Sequence, residues 1–183
     1  MRLTPITAAC VLAASAAFTV PAQAQVSGDV IKIGFITDLS GLYADIDGPA
    51  GAEAIRMAIA DMGGSVAGKK VEVIVADHQN KADVAAAKAR EWFDTQGVDM
   101  LVGGTNSGTS LAMAKVAQEK KKLFISIGAA TSALTNEQCS PYTVHYAYDT
   151  TALAKVTTYS ISGNTLTLRD ADGAAQVTFT AAP

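Results

Sequence analysis

At 183 residues the chain is long enough for about one folded domain besides a short leader. Its 14 basic and 17 acidic side chains leave a formal charge of −3, and only 6% of residues are aromatic. A mildly acidic chain without a basic tract or aromatic stacking surface is not expected to bind nucleic acid.

Met1 to Ala24 carries one basic residue, Arg2, no acid, an apolar stretch from Ala8 to Val20, and the small-x-small end Ala22-Gln23-Ala24. This reads as a secretory signal peptide cleaved before Gln25, which implies export from the cytoplasm. A membrane anchor needs roughly 20 apolar residues, and Thr7, Ser15, Thr19 and Pro21 interrupt this stretch. No later segment approaches such a length, so no stable membrane span is expected. Cys10 leaves with the leader and Cys139 remains alone, implying a buried thiol or a partner elsewhere. With only His78 and His145 besides, no zinc site, and no metal or cofactor of any kind, is expected.

Beyond the leader the apolar period alternates between strand and helix. Val30 to Ile36 is a β-branched strand, and Gly48 to Met62 follows with Ala52, Ile55, Ile59 and Met62 on one helical face. After Gly63-Gly64 and Gly68, Val71 to Ala76 returns as a strand. Ala82 to Phe93 is a second helix, with Val84, Ala85, Lys88, Ala89, Trp92 and Phe93 along its buried side. A third strand, Val98 to Val102, leads into a helix from about Ser107 to Lys120, and a fourth covers Leu123 to Ile127. Repeated β-then-α order predicts an α/β fold: a parallel sheet with helices on both faces.

Two stretches stand at the carboxyl ends of the third and fourth strands: Gly103-Gly104-Thr105-Asn106-Ser107-Gly108-Thr109 and Ser126-Ile127-Gly128-Ala129-Ala130-Thr131-Ser132. Ligands of open α/β sheets bind at such ends. A strand feeding Gly103 to Ser107 into a helix leaves free N–H groups at a positive dipole end, which favours a carboxylate. Ser107 is the first ligand candidate; the alternative is that Asn106 or Ser107 only caps the helix. In the second stretch Gly128, Ala129 and Ala130 let a ligand approach the main chain, while Thr131 and Ser132 add hydroxyls. The alternative there is an ordinary turn. Tyr43, after the first strand, is placed to close over a ligand or to be an exposed loop tyrosine without a role.

Ile33-Gly34-Phe35-Ile36-Thr37-Asp38-Leu39-Ser40-Gly41, the Gly48 to Gly51 helix entry, Gly63-Gly64 followed by Gly68, and Val73-Ile74-Val75-Ala76-Asp77 resemble the amino-terminal lobe of type I periplasmic binding proteins. These are solute receptors of ABC importers, here of the leucine/isoleucine/valine-binding group. Leu134-Thr135-Asn136-Glu137-Gln138-Cys139-Ser140-Pro141, with His145-Tyr146-Ala147-Tyr148-Asp149-Thr150, resembles the branch that includes receptors for aromatic acids. The resemblance covers residues 30 to about 156. It implies a single lobe, residues 25–156, binding an amino acid or related small carboxylate and handing it to an importer permease. It also implies a carboxylate-binding serine at or beside Ser107, with Asn106 and Thr109 as neighbours. In the second loop it implies a backbone carbonyl and a threonine hydroxyl on the amino-acid head group, a role for which Thr131 and Ser132 compete.

Other conspicuous residues carry less. Asp77 and His78 read as a solvated strand end, Lys120-Lys121-Lys122 as a solvated helix cap, and Trp92 as core. From about Thr157 the helical pattern stops. Thr158 to Ile161, Thr165 to Leu168 and Gln176 to Phe179 alternate with period two, separated by turns at Ser162-Gly163-Asn164 and Asp170 to Gly173, so a short antiparallel β tail spans 157–183. Asn164 to Gly173 loosely resembles the final hairpin of META-type β domains. The family's second lobe has no counterpart, so the chain reads as a truncated, impaired receptor or a fusion, the tail being either a grafted end or a hairpin capping the sheet edge.

Three functions follow: the importer receptor; an exported interaction or inhibitor-like protein acting through the β tail, or a non-functional fusion; and a hydrolase pairing Ser107 or Ser132 with His78 or His145. No Gly-x-Ser-x-Gly elbow is present, and no catalytic residue is expected.

Overall fold

The computed structural model describes Val26 and residues 28–180; the expected leader, Met1 to Ala24, lies outside the described residues. Strand β1 (Val30–Thr37) is followed by a short helix α1 (Ala44–Asp47) and by α2 (Pro49–Asp61). Pro49 stands in the first turn of α2, where its missing N–H removes no intrahelical bond. Gly63 and Gly64, at φ of +76° and +72°, end the helix and lead to β2 (Ser65–Val66), which hairpins into β3 (Lys69–Asp77). Then come α3 (Ala82–Thr95), β4 (Met100–Gly103), α4 (Ser107–Lys120), β5 (Leu123–Ser126), a 3-10 turn over Ser132–Leu134 and β6 (Thr143–His145).

These six strands form one sheet in the order β2-β3-β1-β4-β5-β6. All pairs are parallel except the edge hairpin β2–β3. Successive residues of a strand face opposite sides, which locates the helices. A Cβ at Gly34 would fall 2.6 Å from the Trp92 ring of α3, whereas the Phe35 ring lies 3.0 Å from the Cβ position of Gly51 on α2. Helices therefore cover both faces, as the alternating periods predict. Ile36, Trp92, Val98, Leu101, Met113, Val116 and Phe124 are buried in the core that α3 and α4 close over the sheet. On the opposite face the register aligns Phe35 with Val102, Ile125 and Val144, and Val144 is 46% exposed.

Several expectations are corrected. The sheet has six strands where the sequence leads one to expect four or five, because β2 and β6 are two and three residues long, too short to show a period. Met62 falls outside α2 and is 64% exposed. His78 is not solvated: it is 1% exposed. Cys139 is exposed, which removes the burial alternative and leaves the thiol unpaired among the described residues. The lysine cap is ion-paired rather than simply solvated: Lys120 Nζ reaches both Asp94 oxygens at 2.6 and 2.8 Å, and Lys122 stands 3.9 Å from Asp99.

Asp149 accepts from the Ala152 N–H and caps a last helix, α5 (Thr150–Ala154). Beyond it β7 (Thr158–Ser162), β8 (Thr165–Arg169) and β9 (Ala175–Thr180) form a separate three-stranded antiparallel sheet, as the period-two pattern predicts. Among the described residues this tail does not pair with β6, so its strands do not extend the edge of the larger sheet. Its register puts Tyr159, Ile161, Leu166, Leu168, Val177 and Phe179 on one face. Phe179 meets Tyr148 edge-on at 6.3 Å, while Tyr159 and Ile161 stay exposed. Among the described residues no helix is long and apolar enough to cross a membrane.

Candidate functional site

The carboxyl ends of β1, β3, β4 and β5 open onto four loops, each held by its own hydrogen bonds. After β1, Asp38 accepts from the N–H groups of Gly41 at 2.8 Å and Tyr43 at 3.0 Å, which fixes the loop and the half-buried Tyr43. Asp77, at the end of β3, accepts from the Leu39 and Gln79 amides and the Ser40 hydroxyl. Burial opposes ionisation of Asp77, but those hydrogen bonds prevail and hold its carboxyl below the usual range. Thr37 Oγ1 donates to Asp47 Oδ1 at 3.0 Å, leaving Asp47 Oδ2 buried without a partner among the described residues.

Asp38, Asp77 and His78 bring one possible ligand atom each within 4.8 Å of one another. They are already engaged. His78 Nδ1 accepts from the Asn80 N–H at 2.9 Å, which places the ring proton on Nε2, and the carboxylate oxygens take N–H and O–H donors from their loops. The cluster works as a clamp between two loops. Burial pushes the His78 pKa down, against the attraction of Asp38, Asp77 and Asp47.

The turn from β4 into α4 depends on two glycines. Gly103 has φ +153° and packs so closely that a Cβ would fall 2.1 Å from the Ile36 carbonyl oxygen; Gly104, at φ +102°, would place one 1.8 Å from Ser110 Oγ. Asn106 is the N-cap of α4: its Oδ1 accepts from the Thr109 N–H at 2.9 Å, and its Nδ2 donates to Asn80 Oδ1 at 2.6 Å. The capping alternative thus falls to Asn106. Ser107, half-buried, is the first residue of the helix, at the end where first-turn N–H groups lack intrahelical partners and where Asn106 takes that of Thr109.

The β5 loop starts level with this one, since Gly103 pairs with Ser126 and the Ile127 N–H donates to Gly103 O. The two loops then touch: a Cβ on Gly128 would lie 3.1 Å from both the Cα and Oγ1 of Thr105. Thr105 Oγ1 and Ser126 Oγ are buried there without partners among the described residues. His145 Nε2 contacts the Ala129 carbonyl at 2.6 Å, and the Ala130 carbonyl accepts from the Thr150 N–H at 2.8 Å. The Ala130 carbonyl keeps a second lone pair for a ligand, whereas Ala129, expected to line the site, is fully buried and offers a ligand no accessible surface. Thr131 Oγ1 accepts from the Ala133 N–H, leaving its own hydrogen free to donate, while Ser132 begins the 3-10 turn.

Ser107 and the Ala129–Ser132 loop thus project from neighbouring strand ends. Thr105, Ser126, Asn80 and His145 take part in this arrangement without having been singled out as binding residues. Neither imidazole is hydrogen-bonded to Ser107 or Ser132 among the described residues: His78 is turned to Asn80 and His145 to Ala129. The hydrolase arrangement is not assembled. Cys139 lies apart from these loops, in a groove of about 350 Å³ between α4 and residues 137–139.

The periplasmic binding protein profile matches residues 30–179. The chain belongs to this family. A periplasmic binding protein from Burkholderia mallei is 70% identical over 70% of this chain and 34% of its own, with a TM-score of 0.69. A branched-chain amino acid ABC transporter periplasmic ligand-binding protein from Burkholderia xenovorans is 39% identical over 69% of this chain and 34% of its own, with a TM-score of 0.66. An ABC transporter solute-binding protein from Rhodopseudomonas palustris, in complex with 3,4-dihydroxybenzoic acid, is 32% identical over 70% and 34%, with a TM-score of 0.63. This member of the family thus spans about a third of the length of those structures. No curated protein matches the chain.

Proposed function

We propose that this chain is the substrate-binding component of an ABC importer, exported to the periplasm, and that it binds amino acids or related small carboxylates, aromatic acids included. The observation that supports this reading is the contact between the Gly103–Asn106 turn and the β5 loop through Thr105 and Gly128, which joins the loop entering α4 to the loop that leads to Thr131. The α4 N–H groups and the Ser107 hydroxyl hold the carboxylate. Thr131 donates to it, or Ser132 does so in its place; the Ala130 main chain accepts an ammonium group where one is present. Asn106 fixes the helix end and Tyr43 closes over the ligand. The resemblance to the Rhodopseudomonas palustris and Burkholderia xenovorans proteins supports this ligand class. Binding, not catalysis, is the activity, and an importer permease is the partner.

One lobe supplies one wall of such a site, the enclosing motion belonging to two lobes closing on a solute. Two or three charge-assisted hydrogen bonds worth about 1.5 to 3 kcal/mol each, set against an association cost of about 4 kcal/mol or more, leave at most about 4 to 5 kcal/mol. The expected affinity is therefore about millimolar, near −4 kcal/mol. Calorimetry with leucine, isoleucine, benzoate and 3,4-dihydroxybenzoate tests this, and Ser107→Ala should abolish measurable heat. Micromolar binding unchanged by that substitution would place the site elsewhere. Amino-terminal sequencing of exported protein should begin at Gln25; an intact Met1 would contradict the leader.

A second reading, an exported interaction protein acting through its tail, draws support from the exposed Tyr159 and Ile161 on one face of the small sheet. Binding of small carboxylates that survives deletion of residues 157–183 would favour the first.

A further inference from the structure

We infer that Asn80 is a positioning residue for the amino end of α4, coupled through Asn106 and held in place by His78; this rests on the reading of that helix end as the carboxylate site. Asn80 belongs to the loop after β3, on the far side of β1 from β4, and approaches no other residue of the proposed site in sequence. Its backbone stands at φ +57°, a conformation that side-chain-bearing residues adopt uncommonly and asparagine tolerates best. Two contacts secure it. Its N–H donates to His78 Nδ1 at 2.9 Å, and its Oδ1 accepts from Asn106 Nδ2 at 2.6 Å.

The direction of each bond follows from the groups involved. The Thr109 N–H is a donor, so Asn106 turns its oxygen towards it and its NH₂ towards Asn80, where only an acceptor fits. The Asn80 N–H is likewise a donor, so His78 Nδ1 carries no proton in this arrangement. Thr109 reinforces the cap, its Oγ1 donating to the Asn106 carbonyl at 2.9 Å. A buried imidazole on one loop thereby fixes the rotamer of a cap on another. The cap in turn sets the direction of the free N–H groups in the first turn of α4, where a carboxylate is held. A site built from backbone groups loses affinity when its supporting side chains are free to turn.

Full-length protein carrying Asn80→Gly, Asn106→Ser or both tests the inference. Glycine accepts φ +57° without strain and removes only the side chain; serine still caps the helix but does not reach Asn80. Amide exchange of Thr109, measured by NMR without ligand, should rise about threefold to tenfold in Asn80→Gly, as loss of one hydrogen bond implies. The thermal midpoint should stay close to that of the parent. Affinity for 3,4-dihydroxybenzoate, or leucine if that binds more tightly, should fall by a similar factor, and the double variant should be no weaker than Asn106→Ser alone. Unchanged Thr109 exchange in Asn80→Gly, or strictly additive losses in the double variant, would overturn the coupling. Faster Thr109 exchange, combined with ligand binding indifferent to Ser107→Ala, would keep the coupling and reject the site.

Discussion

Thr105 and Gly128 lie in such close contact that a methyl group on the glycine would stand 3.1 Å from both the Cα and Oγ1 of the threonine. Through that contact the β4 and β5 loops form one surface. The clearance is tighter than a normal carbon contact yet short of a hard clash, so Gly128→Ala should be tolerated by the fold and felt by the site. The expected outcome is a loss of about 1 kcal/mol in stability, the low end of the cost of overpacking, with loss of carboxylate binding as the loops part. Denaturant unfolding and calorimetry on the same sample check the two halves.

Gly103 presents a harder constraint. An added Cβ would meet the Ile36 carbonyl oxygen at 2.1 Å, and backbone on a central strand has no side chain to rotate away. Gly103→Ala should cost about 3 kcal/mol or more, the range of strained backbone combined with overpacking. Circular dichroism melts should show a large fall in midpoint or an unfolded chain.

His78 couples stability to pH. It is buried in the folded chain, and that burial pushes its pKa below the ordinary value despite the nearby Asp38, Asp77 and Asp47. The unfolded state then binds the proton at higher pH than the folded state does. The stability linked to neutral His78 is complete above its ordinary pKa of 6.5 and is lost as pH falls from there towards the lowered folded value. Protonation also requires Nδ1 to release the Asn80 N–H. Asp77 adds a second loss lower on the scale: its depressed pKa contributes stability that is present above the ordinary value of 3.8 and disappears as pH falls through the folded value. Thermal midpoints should decline as pH falls below the ordinary histidine value of 6.5 and fall again below the ordinary aspartate value of 3.8, and His78→Gln should flatten the upper decline alone. A flat profile in the parent would contradict the burial argument.

The large elements were legible because their periods are long. In α3 the run Ala85, Ala89 and Trp92 points to one buried face, and the structure buries all three. The bounds of α4, Ser107 and Lys120, follow from an asparagine cap and a run of lysines. What escaped sequence reading is local or tertiary. Three residues of β6 carry no period, and a polar Asp77-His78 pair looks solvated until the β1 loop folds over it. Of the site, Ser107 and Thr131 could be proposed from strand-end position and resemblance. The Asn80–Asn106 bond joins residues 26 apart, and no pattern short of the strand order β3-β1-β4 brings them together.

His145 offers a last test because it supports the β5 loop from a strand too short to read. Its Nε2 lies 2.6 Å from the carbonyl oxygen of Ala129, a residue with no exposure at all. A carbonyl accepts only, so the imidazole donates from Nε2. In His145→Leu that carbonyl is left without its donor in a buried position, at a cost of about 1 to 3 kcal/mol. The loop should also loosen around Ala130 and Thr131, whose orientation decides whether a hydroxyl faces the ligand. His145→Gln retains an N–H donor and should recover part of both losses. Thermal melts and carboxylate titrations of the two variants separate the outcomes: equal loss in both would show that ring packing, not the donated hydrogen bond, holds Ala129 in place.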